Sequence, residues 1–278
     1  MSRLRLSLFL AVIAAAGCSD GVPADSSIQR PATHLPAGML GIEGELDIRD
    51  SLQAPLTAGV TATFIGEQDR ELLLLVLDPQ QLEPVLVASP GAGMAARDAF
   101  GQYDLQVLIG SGFVAELHSL QPVGLLQVDG NTLSPVQGHG YTRILGINDS
   151  GMGVVHKAAY QRDLFHSAVQ VGPGIIEAGE LDISERDLQR PKYFRSFIAV
   201  CKQRWIAGIS LSPAHLRTLG QVFLRHAHQR NWQCPEVVNL AGDRQAVALI
   251  RTAGAGVVYH GDPDTYKASM LGFRFRSP

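Results

Sequence analysis

The chain has only three cysteines in 278 residues, and no two of them have the C-x-x-C spacing of a zinc knuckle or a redox motif. It has no Walker loop, no G-x-G-x-x-G and no H-E-x-x-H. These absences remove the usual nucleotide, dinucleotide and zinc-protease readings. Nine histidines are present, but His226 and His228 are two apart on a predicted helix and do not share a face. Each histidine reads as a surface or packing residue, and neither a metal nor a cofactor is expected. Ser111 lies between glycines, yet Ile109 stands at the first glycine place of a G-x-S-x-G elbow, which argues against a serine hydrolase. Basic charge is also scarce. The net charge is −3, with no basic stripe and no aromatic-basic interleaving, so nucleic acid is not an expected partner. Beyond the N-terminus no apolar run reaches the ~20 residues that cross a bilayer. The densest, 72–77, has the length of a buried strand.

What is present begins at the N-terminus. Arg3 and Arg5 precede an apolar run over 6–16, broken only by Ser7, which ends in Ala15-Ala16-Gly17-Cys18. A charged start, a short apolar stretch and small residues before a cleavage point make a secretory signal. A cysteine directly after the small residues resembles the lipobox of bacterial lipoproteins. That resemblance implies cleavage before Cys18 and acylation of both its thiol and the new N-terminus. Several acyl chains anchor stably where one binds reversibly. An ordinary secretory signal cut elsewhere is the other reading. Ser19, not Asp, directly follows Cys18, and by resemblance to enterobacterial sorting this points to the outer membrane, facing the periplasm. Residues 19–38 are rich in Ser, Asp, Pro, Ala and Gly and bury too little to fold. The expected organisation is a signal peptide over 1–17, a lipidated tether over 18–40 and one domain over 41–278. Cleavage would remove two of the 23 basic residues and none of the 26 acidic ones, moving the net charge from −3 to −5.

Cys201 and Cys234 remain. Outside the cytoplasm such a pair can oxidise, closing a loop of about 34 residues for ~3–4 kcal/mol in the chain-entropy account. Two buried thiols are the alternative.

The rest reads as short strands with glycine-rich turns. Strands are expected over 60–65, 71–77, 84–88, 105–109, 124–128, 142–147, 153–156, 167–171, 195–201, 257–259 and 271–275, with a short helix over 95–100. The segments 237–240 and 246–250 are expected to form a hairpin around Gly242-Asp243. One longer helix follows Ser212, a good N-cap, and Pro213, suited to a first helical position. Its apolar stripe is Leu216, Leu219, Phe223 and Ala227, and Asn231 can close it. The expected class is α+β: a single domain built on a mixed, largely antiparallel sheet carrying one or two packed helices.

Four segments taken in order carry a resemblance. They are Ile109-Gly110-Ser111-Gly112-Phe113; Gln170-Val171-Gly172-Pro173; Arg195-Ser196-Phe197; and Asn239-Leu240-Ala241-Gly242-Asp243. Together, over roughly 55–275, they resemble the phosphodiester glycosidase family. Its animal members remove N-acetylglucosamine from a phosphodiester to uncover mannose 6-phosphate, and its bacterial members are linked to envelope and exopolysaccharide biology. The chain departs from the family pattern at two polar places: Gly110 stands where Asn is usual and Ala241 where Asp is usual. The resemblance implies a sugar phosphodiester or polysaccharide as partner. Arg195 would grip the phosphate, and Asp243 or Asn239 would act at the sugar. Gly110, Ser111, Gly112, Gln170 and Gly172 would offer a substrate-binding loop whose amides approach an anion. A non-catalytic relative that binds glycans or serves envelope assembly is the second expectation.

Overall fold

A computed structural model describes residues 55–66, 72–138 and 140–277. The signal peptide, Cys18 and the tether lie outside the described residues. The first half holds β1 (Val60–Ile65), β2 (Leu72–Leu77), β3 (Leu82–Ala88), β4 (Met94–Ala95), helix α1 (Ala96–Gln102), β5 (Val107–Gly110), β6 (Leu126–Val128) and β7 (Asn131–Ser134). The middle holds β8 (Arg143–Asn148), β9 (Gly151–His156), β10 (Ser167–Val171), β11 (Gly174–Glu177), β12 (Glu180–Leu181), β13 (Arg195–Val200) and β14 (Trp205–Ser210). Helix α2 (Leu216–Gln229), β15 (Glu236–Gly242), β16 (Ala248–Arg251), β17 (Val257–His260), β18 (Tyr266–Lys267) and β19 (Ser269–Phe275) complete it.

The single sheet expected from sequence is replaced by three. A seven-stranded sheet runs β1-β2-β14-β13-β15-β11-β12. Two five-stranded sheets run β7-β6-β10-β8-β9 and β17-β16-β5-β19-β3, and a small ribbon pairs β18 with β4. The strand pairs are all antiparallel among the described residues, where a mixed, largely antiparallel sheet was expected. Three sheets form because one face of each converges on a common core. Leu73, Leu75 and Ile198 of the first sheet meet Leu145 and Val169 of the second and Ile109 and Leu271 of the third.

The unbroken apolar run of β2 follows from this. Leu73, Leu75 and Leu77 enter the common core, while Leu72 and Leu74 face the other way, under α2. A strand buried on both faces has no polar side to alternate with. The α2 stripe read from sequence, Leu216, Leu219, Phe223 and Ala227, is the buried face, and Phe223 meets Phe197 edge-on at 5.9 Å. Helix α1 covers the third sheet through Ala96, Ala99 and Phe100.

The start of α2 differs from its local signal. Ser212 and Pro213 lie before the helix, because Ala214 forms a β-bridge with Tyr193. The orphan N–H of Arg217 is instead capped from a distance, by Asp187 Oδ2 at 2.9 Å. The hairpin expected around Gly242-Asp243 also does not form. β15 belongs to the first sheet and β16 to the third, and the chain crosses between them through a 3-10 turn over Asp243–Gln245. Cys201 and Cys234 are joined by a disulfide.

Candidate functional site

The four signature segments lie at strand ends that converge. Gly110 ends β5, Gly172 follows β10, Arg195 opens β13 and Gly242 ends β15. Hydrogen bonds tie these ends together. Ser196 Oγ donates to the Gly110 carbonyl at 2.8 Å. The Gly172 N–H donates to the Asn239 carbonyl at 2.9 Å, and Asn239 Nδ2 returns a bond to the Gly172 carbonyl at 3.0 Å. Arg195 pairs with Gly242 across the β13–β15 ladder.

Arg195 is the cation of this corner. Its backbone N–H is fixed by Ser210 Oγ at 2.8 Å, and its guanidinium carbon sits 5.0 Å from the Tyr193 ring centroid. Burial lowers its pKa, and the charges of Asp187 and, more weakly, Asp243 oppose that. Its Nε is buried without a hydrogen-bond partner among the described residues. Three more such atoms lie on or just after the other signature segments: Ser111 Oγ, Asn239 Oδ1 and Gln245 Nε2. Buried polar atoms are nearly always paired, so each of these calls for a partner beyond the packing around it. Tyr141 and Phe113, which follows Gly112, stack on each other, ring centroids 4.1 Å apart and 14° from parallel. Burial raises the Tyr141 pKa and the Arg195 charge lowers it, which places the phenol within electrostatic reach of the guanidinium.

Several residues assigned to binding are occupied with architecture. Gln170 uses its whole amide within the chain. Oε1 accepts from the N–H groups of Leu125 and Gln137, and Nε2 donates to the carbonyls of Gln137 and Tyr141. It pins the 122–141 segment onto β10 and leaves no amide for a ligand. The Gly110 and Gly172 N–H groups are likewise spent on the Val247 and Asn239 carbonyls. Gly110 is glycine for another reason: a Cβ there would lie 1.8 Å from the Gln245 carbonyl oxygen. Gly112 has φ +80, and its Cβ would meet Ser269 Oγ at 2.3 Å.

The carboxylates are placed unevenly. Asp243 leaves the strand with φ 52, its N–H held by the Phe194 carbonyl at 2.8 Å, so it does not take the strand position that Ala241 holds. Glu177 pairs with Arg143 at 3.0 Å and Glu116 with the exposed His118. Sequence reasoning missed Tyr141, Ser210 and Gln245, which carry no motif. It also missed Arg143, a buried arginine held by Asp182 at 2.7 Å. Among the described residues no cluster of His, Cys, Asp and Glu is arranged to hold a metal ion, and no helix is long and apolar enough to cross a membrane.

No family profile matches the chain, and no curated protein does. Solved structures do. The catalytic domain of zebrafish N-acetylglucosamine-1-phosphodiester alpha-N-acetylglucosaminidase, auto-inhibited by its pro-peptide, is similar over 80% of this chain and 87% of that one, with a TM-score of 0.57 at 13% identity. A hypothetical protein from Synechocystis is similar over 79% of this chain and 63% of that one, with a TM-score of 0.54 at 13% identity. These likenesses establish a shared fold.

Proposed function

We propose that the corner around Arg195 is a sugar-phosphodiester site of the glycosidase type, carried by an envelope lipoprotein anchored through Cys18. The observation that carries the reading is the half-buried Arg195 with its Nε unpartnered, together with orphaned polar atoms on Ser111, Asn239 and Gln245. A planar guanidinium is suited to a phosphodiester because it offers two parallel donors to two anionic oxygens. Burial strengthens that pairing, since water competes less for either partner. Asn239 Oδ1 and Ser111 Oγ stand ready to meet hydroxyl groups of the sugar. The similarity to the zebrafish catalytic domain supports the choice of substrate class.

If the bond is cleaved on the sugar side, the departing phosphate monoester carries the developing charge. Arg195 then stabilises the transition state more than the ground state, which is the condition for catalysis. The test is turnover of methyl N-acetylglucosaminyl phosphate by the full chain in detergent. The expected result is release of the free sugar, with loss of about 10²-fold or more in kcat/KM for Arg195→Ala.

A second reading is favoured by Gly110 and Ala241, which stand at two polar places of the family pattern. Here the corner binds the anionic group of an envelope glycan and leaves it intact. Binding that depends on Arg195, without sugar release, would establish it. Anchoring is tested separately. Metabolic labelling with a fatty acid is expected to mark the chain and to fail for Cys18→Ala.

A further inference from the structure

We infer that His260 is the proton-accepting residue of this site, an assignment that rests on the sugar-phosphodiester reading above. His260 ends β17. Its ring lies 5.9 Å from that of Phe194, tilted by 56°, and Phe194 directly precedes Arg195. With Phe194, Asp243, Ala246, Gly261 and Asp262 it lines a cavity of about 280 Å³. Asp243 is a wall common to both groups: it borders this cavity, and its charge acts on Arg195. Ser210 links them as well. Its Oγ accepts the Arg195 backbone N–H at 2.8 Å, and its backbone bonds the His260 ring. The Arg195 backbone and the imidazole are thus both tied to Ser210, the last residue of β14.

The ring has the right state for a base. Burial holds its pKa below the ordinary imidazole value, while the bond to Ser210 pulls the other way. That bond favours the protonated ring, so the Ser210 carbonyl is the acceptor and one ring N–H is committed to it. A neutral imidazole then keeps a lone pair on its other nitrogen.

The remaining charged groups about the cavity are Arg244, Asp243, Asp262 and Lys267, with Arg195 beyond Phe194. Asp262 accepts from the Asp264 N–H and the Thr265 hydroxyl, which lowers its pKa and makes it a poor base. Lys267 donates to the Arg244 carbonyl at 3.1 Å. Asp243 is exposed. Among these groups His260 is the one that is neutral, oriented and able to accept a proton near neutral pH.

The step balances without a further reactant. A water oxygen bonds to the anomeric carbon as the bond from that carbon to the phosphate oxygen breaks. The electron pair leaves on the phosphate, beside Arg195. The water proton passes to His260 and then to solvent. A phosphate monoester is a good leaving group, so the reaction calls for a base at the water more than for an acid at the leaving oxygen.

The test is the pH dependence of kcat/KM for methyl N-acetylglucosaminyl phosphate, measured on the full chain and on His260→Gln and Arg195→Ala. The unaltered chain is expected to lose rate on the acid side, with a midpoint below about 6.5. His260→Gln is expected to lose about 10²–10⁴-fold in rate and to lose that acid limb. Ring titration of His260 by NMR in the unaltered chain is expected to give the same midpoint, which keeps the result independent of how the variant folds. If Arg195→Ala loses turnover while His260→Gln keeps both rate and limb, the assignment to His260 is overturned and the site reading stands. A kinetic midpoint away from the ring titration overturns it too. No turnover by the folded, unaltered chain overturns the glycosidase reading itself, and the base assignment with it.

Discussion

At the scale of single residues, the corner shows how one residue type serves different physical ends. The glycines of 110–112 and 172 resemble a phosphate cradle in sequence, but Gly110 and Gly172 give their amides to the chain itself. A run of glycines announces that backbone comes close, and leaves open whether it comes close to a ligand or to another strand. Arg195 was legible as a candidate because a planar cation in a segment that carries the resemblance suits a phosphate. Gln245 and Ser210 were not, since a glutamine or a serine becomes informative only once its neighbours are known. Lys267 belongs with them. It is fully buried, donates to the Arg244 carbonyl, and burial lowers its pKa to about 8. The unfolded chain holds this proton up to about 10.4. Between those two values the unfolded state binds more protons, so stability rises with pH across that window and is level below it. Lys267→Met removes the cost of burying the charge. It is expected to stabilise the fold by ~1–3 kcal/mol at neutral pH, with the advantage shrinking above the folded pKa. Urea unfolding on either side of that window measures it.

At the scale of elements, local patterning succeeded where one segment determines its own structure. The α2 stripe read from sequence is the helix's buried face, and the strands expected over 142–147 and 153–156 form β8 and β9. It failed where a distant segment decides. The Ser212-Pro213 signal is overridden by the bridge to Tyr193 and the remote cap from Asp187. Strand β14 escaped notice because it is buried along its whole length and shows no alternation. The C-terminus of α2 obeys its own sequence: Asn231 takes φ 53, the Trp232 N–H reaches the Ala227 carbonyl at 2.8 Å and the Asn231 N–H reaches that of His228 at 3.1 Å. This is a Schellman closure with asparagine in the left-handed place. Asn231→Ala keeps a Cβ there without the amide that tolerates the conformation, and is expected to cost about 1 kcal/mol. A thermal melt would show this as a lowering of roughly 2–4 °C.

At the scale of the whole molecule, the number of sheets was beyond sequence reasoning because the pairings that define them are distant. β5 pairs with β19, placing Ile109 opposite Leu271, and nothing local in either strand selects the other. Long-range pairing also separates the disulfide from the site. Cys201 follows the last residue of β13 and Arg195 is its first, so the two stand about 20 Å apart along the strand. Reduction is expected to lower stability by ~3–4 kcal/mol while leaving phosphate affinity at Arg195 unchanged in the folded protein. Unfolding curves and phosphate titration with and without reductant check both halves.

The close approach at Gly110 also bears on how such a site changes over evolutionary time. Where a Cβ would fall 1.8 Å from a carbonyl oxygen, selection for folding alone preserves the glycine. In this chain the close packing accounts for Gly110 whether the corner carries out chemistry or only binds. A side chain at Arg195, Tyr141, Asp243 or His260 meets no such wall, so the corner's chemistry can be altered there without displacing the backbone at Gly110.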